Sequence, residues 1–459
     1  MKKLYLLALM AIVAVSCQRE VGFIEPTPSP SGDVVQETTS VNVRSYDEAL
    51  AIAEEALQMV DDENTRSSNR RRIMRNSGQV VSRPVTRGGE DAGEQPIMYI
   101  FNNENNEGFT IVAADRSQQA LVAVTEQGNY TYGEPTGVEP FDAYMNNVTE
   151  KLSIFPDSLS LPGIPLIPTP AVKADTVYYN RTIVGPIITT KWGQTGIYGN
   201  LCSNGVSGCG STAIAQIVAH HRHPAYLTQM YLGINNVEMI AMDWENILRH
   251  IENIGAYNEE LNKYVCRCGC NYDQISLLMR EIGCKAGATY NQDDLLTPAN
   301  ELGTITYDSG CRNAFMTLGY GDVIWAEYIA LSEYQSIIYN EIDNDRPIYI
   351  SAFPAGSLGH VWVIDGYDHK EVIVNYFRLN PYYSYGGVEP QYILDFTDVI
   401  ESNLLHFNWG WNGNCNGWFS YGCLNPNEGS SYDSCTESNH SSYNFIRGVS
   451  LIYNIKPTN

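Results

Sequence analysis

Fourteen residues, GCGSTAIAQIVAHH from Gly208 to His221, constrain this chain more than any other stretch. Ala213, Ile214, Ile217 and Val218 recur at the spacing of a helix with one buried face. His223-Pro224 ends it, because proline pushes its predecessor out of the helical region. Cys209 therefore stands at the N-terminus of a buried helix, where unpaired N–H groups and the positive dipole end favour a thiolate. Gly208 and Gly210 leave the backbone open to close approach by a substrate. A lone cysteine in such a turn is more often a packed core residue, so the weight falls on what accompanies it.

The chain has 459 residues and a formal charge of −24, long enough for two or more domains with large cores. Such an acidic balance argues against nucleic acid as a partner. Lys2 and Lys3, an apolar run from Leu4 to Val15, and then Ser16-Cys17 read as a signal peptide rather than a membrane span. Cys17 follows the run as in a bacterial lipobox, which makes it a candidate lipidation site. Ala14 stands where such motifs usually carry Leu, and an ordinary signal peptide cut nearby is the other reading. The expected location is outside the cytoplasm, as an outer-surface lipoprotein or secreted after processing. No other run approaches the ~18 consecutive apolar residues of a membrane span.

Of eleven cysteines, nine remain after Cys17 and Cys209. In an exported chain these form disulfides or stay as thiols, the odd number leaving at least one unpaired. Cys266, Cys268 and Cys270, with Cys284, lack the C-x-x-C spacing of structural zinc sites and have no histidine nearby, so neither metal nor cofactor is expected.

In chain order, residues 18–42 are rich in Pro, Ser, Thr and Glu and read as a tether. Ser45 and Glu48 form a capping box ahead of Ala49, Ile52, Ala53, Ala56 and Val60, an amphipathic helix. The basic run from Arg66 to Arg87 reads as a flexible loop open to nicking. Strands are expected at Ile97–Asn102, Phe109–Asp115 and Ala120–Val124, then a helix at Phe141–Phe155, closing a small α+β unit over 43–155. A proline-rich linker covers 156–184. The second domain, 185–459, alternates helices (Ser211–His221, Gln274–Ile282, Glu333–Glu341) with strands (Ile348–Ala352, His360–Ile364, Val372–Tyr376, Leu405–Trp409).

Nucleophilic acyl chemistry needs a base, a group orienting that base and an oxyanion donor besides the thiol. His360 starts an apolar strand after Gly359, its ring free to reach a helix terminus. Asn408, in HFNWGWNGNCNGWF, offers an amide oxygen to fix the imidazole tautomer, with Trp409 and Trp411 to shield that bond. Gln194, in WGQTGIYGN, offers a side-chain donor to join the Cys209 N–H at an oxyanion. Alone, His360 reads as a core or edge histidine, the Trp-rich hairpin as turn chemistry, and Gln194 as nothing specific. Their order, Gln, Cys, His, Asn, resembles that of papain-like cysteine proteases.

With those residues in place the chain resembles the streptopain family of bacterial cysteine peptidases, clan CA. The likeness lies in Gln194 with Tyr198 and Asn200, Gly208-Cys209 with Ala215-Gln216, Gly359-His360 with Asp365-Gly366, and Asn408 to Gly413. Phe109–Asp115 is similar to a strand of the family's inhibitory propeptide. The resemblance implies an α+β fold, a papain-like catalytic domain preceded by a small α+β propeptide domain. It also implies a secreted zymogen that hydrolyses peptide bonds in extracellular proteins through a covalent acyl-enzyme, with its own propeptide as intramolecular inhibitor. Activation cleavage is expected within 156–184, at Lys173. Substrate binding would fall to Gly359 through its backbone and to Ser309, alongside Trp409 and Trp411.

The sequence departs from the family in places. Gly210-Ser211 replaces a bulkier pair and is expected to loosen the helix start. A Tyr-rich insertion from Arg378 to Glu401 separates the His and Asn strands, and Asn375 rivals Asn408 by spacing. Cys202 rivals Cys209 but lacks the helix register, and His220, His221 and His223 read as surface cations at the helix end. A catalytically silent cell-surface binding protein on the same fold is the alternative that Gly210 and the insertion would suit. An acyl transferase of transglutaminase type shares Cys and His and differs in acceptor.

Overall fold

The computed structural model describes residues 43–61, 71–75, 77–87, 90–116, 118–153, 173–230, 237–249, 256–259, 263–265, 272–291, 303–352, 359–379, 392–421 and 449–458. All belong to one compact unit, 42–459. The expectations for the signal, Cys17 and the 18–42 tether lie outside the described residues, as do Cys266, Cys268 and Cys270.

The N-terminal part runs α1 (Tyr46–Ala56), β1 (Gln79–Arg87), β2 (Glu90–Asn102), β3 (Phe109–Ala113), β4 (Leu121–Thr125) and α2 (Glu139–Ser153). After β5 (Lys173–Val184) come α3 (Cys209–His220), β6 (Tyr226–Met230), β7 (Val237–Ala241), α4 (Trp244–Leu248), β8 (Ala256–Asn258), β9 (Lys263–Val265) and α5 (Tyr272–Ala286). Then follow β10 (Thr289–Asn291), β11 (Gly303–Ile305), α6 (Asp308–Thr317), β12 (Tyr320–Gly321), β13 (Ile324–Ile329), α7 (Gln335–Asp343) and β14 (Ile348–Ala352). The last strands are β15 (His360–Leu379), β16 (Tyr392–Asn408), β17 (Gly417–Ser420), β18 (Val449–Tyr453) and β19 (Lys456–Pro457).

One sheet joins both parts of the chain, in the order β1-β2-β3-β4-β17-β16-β15-β14-β18-β13, with β5 also paired to β15. The junction is antiparallel pairing of β4 with β17, Val124 opposite Trp418. Side chains alternate between the two faces of a strand, and that alternation builds two cores. Trp362, Ile364, Ile348 and Ile350 pack on the face that holds Phe141 and Tyr144 of α2. Val361, Val363 and Tyr349 point the other way, onto Ile214, Ile217 and Val218 of α3 and onto α5 and α6.

The α1 capping box forms as read: Glu48 N donates to Ser45 Oγ (3.3 Å) and Ser45 N to Glu48 Oε2 (2.8 Å). Three expectations are corrected. The basic run ends in a strand, not a loop: Gln79–Arg87 pairs with β2, Val80 opposite Tyr99. The linker assigned to 156–184 holds strand β5, whose Arg181 forks onto Asp368 at 2.9 and 3.2 Å. The two short strands expected at 360–364 and 372–376 are one, β15, bulged between Ile364 and Gly366. The described parts of the Tyr-rich insertion, 378–379 and 392–401, accordingly stay in the sheet, β15 pairing with β16 out to Leu379 opposite Tyr392.

Candidate active site

Gly208 caps α3 at φ 85°, ψ 153°, a conformation open to glycine and strained for other residues. Ser207, just before it, donates to the Gln194 carbonyl through both its N–H (2.8 Å) and its hydroxyl (3.1 Å). Thr212 Oγ1 bridges the carbonyls of Gly208 (3.0 Å) and Gly193 (3.3 Å). These bonds bring the Gln194 segment alongside the helix start that carries Cys209. Gly210 does not loosen that start. A Cβ there would collide with Thr306 Oγ1 and lie 3.1 Å from Cys311 Sγ, so glycine is needed for close packing. Gly210→Ala is therefore expected to destabilise the protein by about 1–3 kcal/mol, as overpacking does, read as a lower thermal midpoint.

Cys209 opens into a cleft of about 370 Å³. Gln194, Thr195, Gly359, His360, Trp411 and Asn412 line it, together with Glu139, Val206, Val361 and residues 303–308. Of the residues chosen from sequence, Cys209, His360, Gln194, Gly359 and Trp411 meet here. Trp409 does not: it is fully buried, its ring tilted at 45° against that of Trp362, and it donates Nε1–H to the Cys415 carbonyl. Ser309 is exposed on α6, and its neighbours Tyr307 and Asp308 line the cleft instead.

Asn408 also departs from its expected role. It sits opposite Val363, so both point toward α3, whereas His360, an odd number of residues earlier, shares the face of Trp362. No hydrogen bond joins Asn408 to His360 among the described residues. The Asn408 amide is held instead by the Thr190 carbonyl (2.9 Å), the Gln216 carboxamide (3.2 Å) and the Gly410 N–H (3.2 Å). Gln216 in turn accepts from Trp192 N–H and Thr190 Oγ1, both at 3.1 Å. This buried knot ties β16 to α3 and to the segment leading into Gln194.

His360 Nε2 lies 3.5 Å from Glu139 Oε2 at the start of α2, with the Trp411 ring 6.2 Å away. Burial pushes the imidazole pKa down to about 4. Burial also raises the Cys209 thiol, against the N–H groups of Val361, Gly210 and Cys209 itself, and the Glu139 charge adds to the rise. Desolvation thus outweighs the helix end, and in this state thiol and imidazole are both held neutral. Gln194 Nε2 is buried without a hydrogen-bond partner.

The rivals fall away on geometry. Cys202 is buried outside the cleft, its thiol pushed up to about 11 by burial. His221 and His223 pack on Tyr320 rather than facing solvent, and burial lowers His221 to about 4. Cys202, Cys209, Cys284, Cys311 and Cys415 are all free thiols.

The family model described as Peptidase C10 matches residues 192–419, and that described as Spi protease inhibitor matches 35–152. The chain belongs to the streptopain family, peptidase C10. Streptopain of Streptococcus pyogenes serotype M1 is 22% identical over 363 residues, covering 74% of this chain and 77% of that one. The thiol protease/hemagglutinin PrtT of Porphyromonas gingivalis is 20% identical over 359 residues, 72% of this chain and 35% of PrtT. A prointerpain A fragment from Prevotella intermedia superposes with a TM-score of 0.49 at 18% identity, covering 83% of this chain and all of the fragment. As a C10 peptidase the protein is a cysteine-type hydrolase acting on peptides. It is a zymogen whose N-terminal region is an intramolecular inhibitor.

Two features of this C10 zymogen carry no sequence signal of the usual kind. Glu139, which faces His360, is one acidic residue among many. His406, two residues before Asn408, lies in a buried ion network: Nδ1 is 2.5 Å from Asp365 Oδ1, and Nε2 is 3.3 Å from Glu126 Oε1 of the inhibitory region. Lys191 reaches the other Glu126 oxygen at 2.9 Å.

Proposed function

We propose that this zymogen is exported, anchored through Cys17 or released, and becomes an endopeptidase acting through the Cys209 thiolate. The observation that carries the reading is the meeting of Cys209, His360 and an unpartnered Gln194 amide in one cleft. Sγ adds to the peptide carbonyl, and the oxyanion takes hydrogen bonds from Gln194 Nε2 and the Cys209 N–H. His360 accepts the thiol proton and passes it to the leaving nitrogen as the C–N bond breaks. Water then hydrolyses the thioester, restoring thiol and imidazole. Asn408 supports this chemistry by fixing α3 and the Gln194 segment.

Latency follows from the same groups. Burial keeps the imidazole neutral and the thiol protonated, and the α2 carboxylate of Glu139 raises the thiol further, so sulfur and imidazole form no ion pair. Release of α2 rehydrates the cleft and removes that charge. The thiol then drops toward the range set by a helix N-terminus beside an imidazolium. Activation cleavage falls before β5, because 173–184 is paired with β15 and a protease does not read a backbone held in a sheet. Mass mapping of iodoacetamide-treated samples tests both points. Cys209 is expected to alkylate at least about tenfold faster in processed protein than in precursor, and the processed chain to begin at or before Lys173. Equal alkylation rates would remove the latency argument, and an N-terminus inside β5 would remove the cleavage argument.

A further inference from the structure

Among the described residues that line the cleft, Asn412 is the one with an unpartnered buried acceptor. Its Oδ1 is shielded from solvent and accepts no hydrogen bond, while Gln194 Nε2, two residues along the facing segment from Trp192, is an equally shielded donor without a partner. Buried amide groups are almost always paired, so an unmatched donor and an unmatched acceptor in one cleft call for a ligand carrying the complement. A polypeptide has that complement in its repeating C=O and N–H.

The Asn412 side chain is held firmly for such a role. Its backbone sits at φ 53°, its N–H donates to the Trp192 carbonyl at 3.3 Å, and its carboxamide lies flat against Gly193. A Cβ on Gly193 would stand 2.5 Å from Oδ1, so that glycine makes the room the amide occupies. The side of the cleft follows from the chemistry. The acid that protonates the leaving nitrogen must face it, and Asn412 follows Trp411, whose ring lies 6.2 Å from that of His360, in the lining of the same cleft.

We propose that Asn412 is a substrate-binding residue on the leaving-group side, its Oδ1 accepting a backbone N–H of the chain beyond the scissile bond. The proposal rests on the reading of Cys209, His360 and Gln194 given above. It makes the enzyme select extended polypeptide over substrates that end at the cut.

The test compares processed wild type with Asn412→Gly on two substrates of the same acyl sequence. One is a quenched peptide continuing four residues past the cut, and the other is a nitrophenyl ester ending there. Glycine tolerates the positive φ, so backbone strain does not enter. The peptide-to-ester ratio of kcat/KM is expected to fall about tenfold in the variant, the size of one lost hydrogen bond. An unchanged ratio overturns the proposal, even where both rates fall together. Failure of the underlying reading is seen separately, as ester turnover persisting in Cys209→Ala.

Discussion

Cys209→Ala is expected to abolish peptide hydrolysis and self-processing, by on the order of 10⁴-fold or more, while the precursor folds as before. The size follows from the chemistry: without sulfur there is no acyl-enzyme, and what remains is oxyanion binding alone. The fold tolerates the change because Cys209 sits at the rim of the α3 core, partly buried, and alanine is a good helix former. Cys202 offers no substitute, since burial holds its thiol far up and it does not line the cleft. Casein and a quenched peptide read the activity, and thermal melting reads the fold. Hydrolysis surviving in the variant would remove Cys209 from its role, and Cys202→Ala would then be the next variant to assay.

The same helix shows how much of the molecule was legible in the sequence. Its periodicity and its glycines located α3, and the alternation in IYISA located β14 at Ile348–Ala352. Local pattern failed where partners are distant. The stretch left between the two expected strands, 365–371, is itself strand: Asp365 is bulged inward onto His406 and the Ile188 N–H, and Asp368 binds Arg181. Those partners come from elements far away in sequence, so no window around residue 365 contains the reason that the strand continues. The expected Asn408–His360 bond failed for a related reason. The order of motifs was readable, but which face of the sheet each side chain takes depends on register, and register is fixed by pairing across β15 and β16. Glu139 and Asn412 matter through what they lie against, which composition and spacing do not encode.

The buried network around His406 carries the second large effect. His406→Ala would leave Asp365, fully buried, without its cationic partner, at a cost of about 3–5 kcal/mol. Glu126→Gln removes only the arm supplied by the inhibitory region, and is expected to cost about 1–3 kcal/mol. Burial alone would lower His406, but the Asp365 charge and hydrogen bond, with Glu126, lift it to about 10. Burial alone would raise Glu126, but His406 and then Lys191 bring it down to about 2. The signs then fix the pH window. The His406 share is complete below its ordinary value of about 6.5 and is lost as pH rises through about 10. The Glu126 share is complete above the ordinary carboxylate range, about 4.3, and is lost as pH falls through about 2. Both are whole between about pH 4.3 and 6.5, so the gap in urea midpoint between Cys209→Ala precursor with and without Glu126→Gln should be widest there and close toward pH 2. Because Glu126 binds the inhibitory region to β16, the same substitution in an otherwise wild-type precursor should also hasten self-processing. A gap that stays constant across that pH range, with processing unchanged, would mean that Glu126 is held by something other than this pairing.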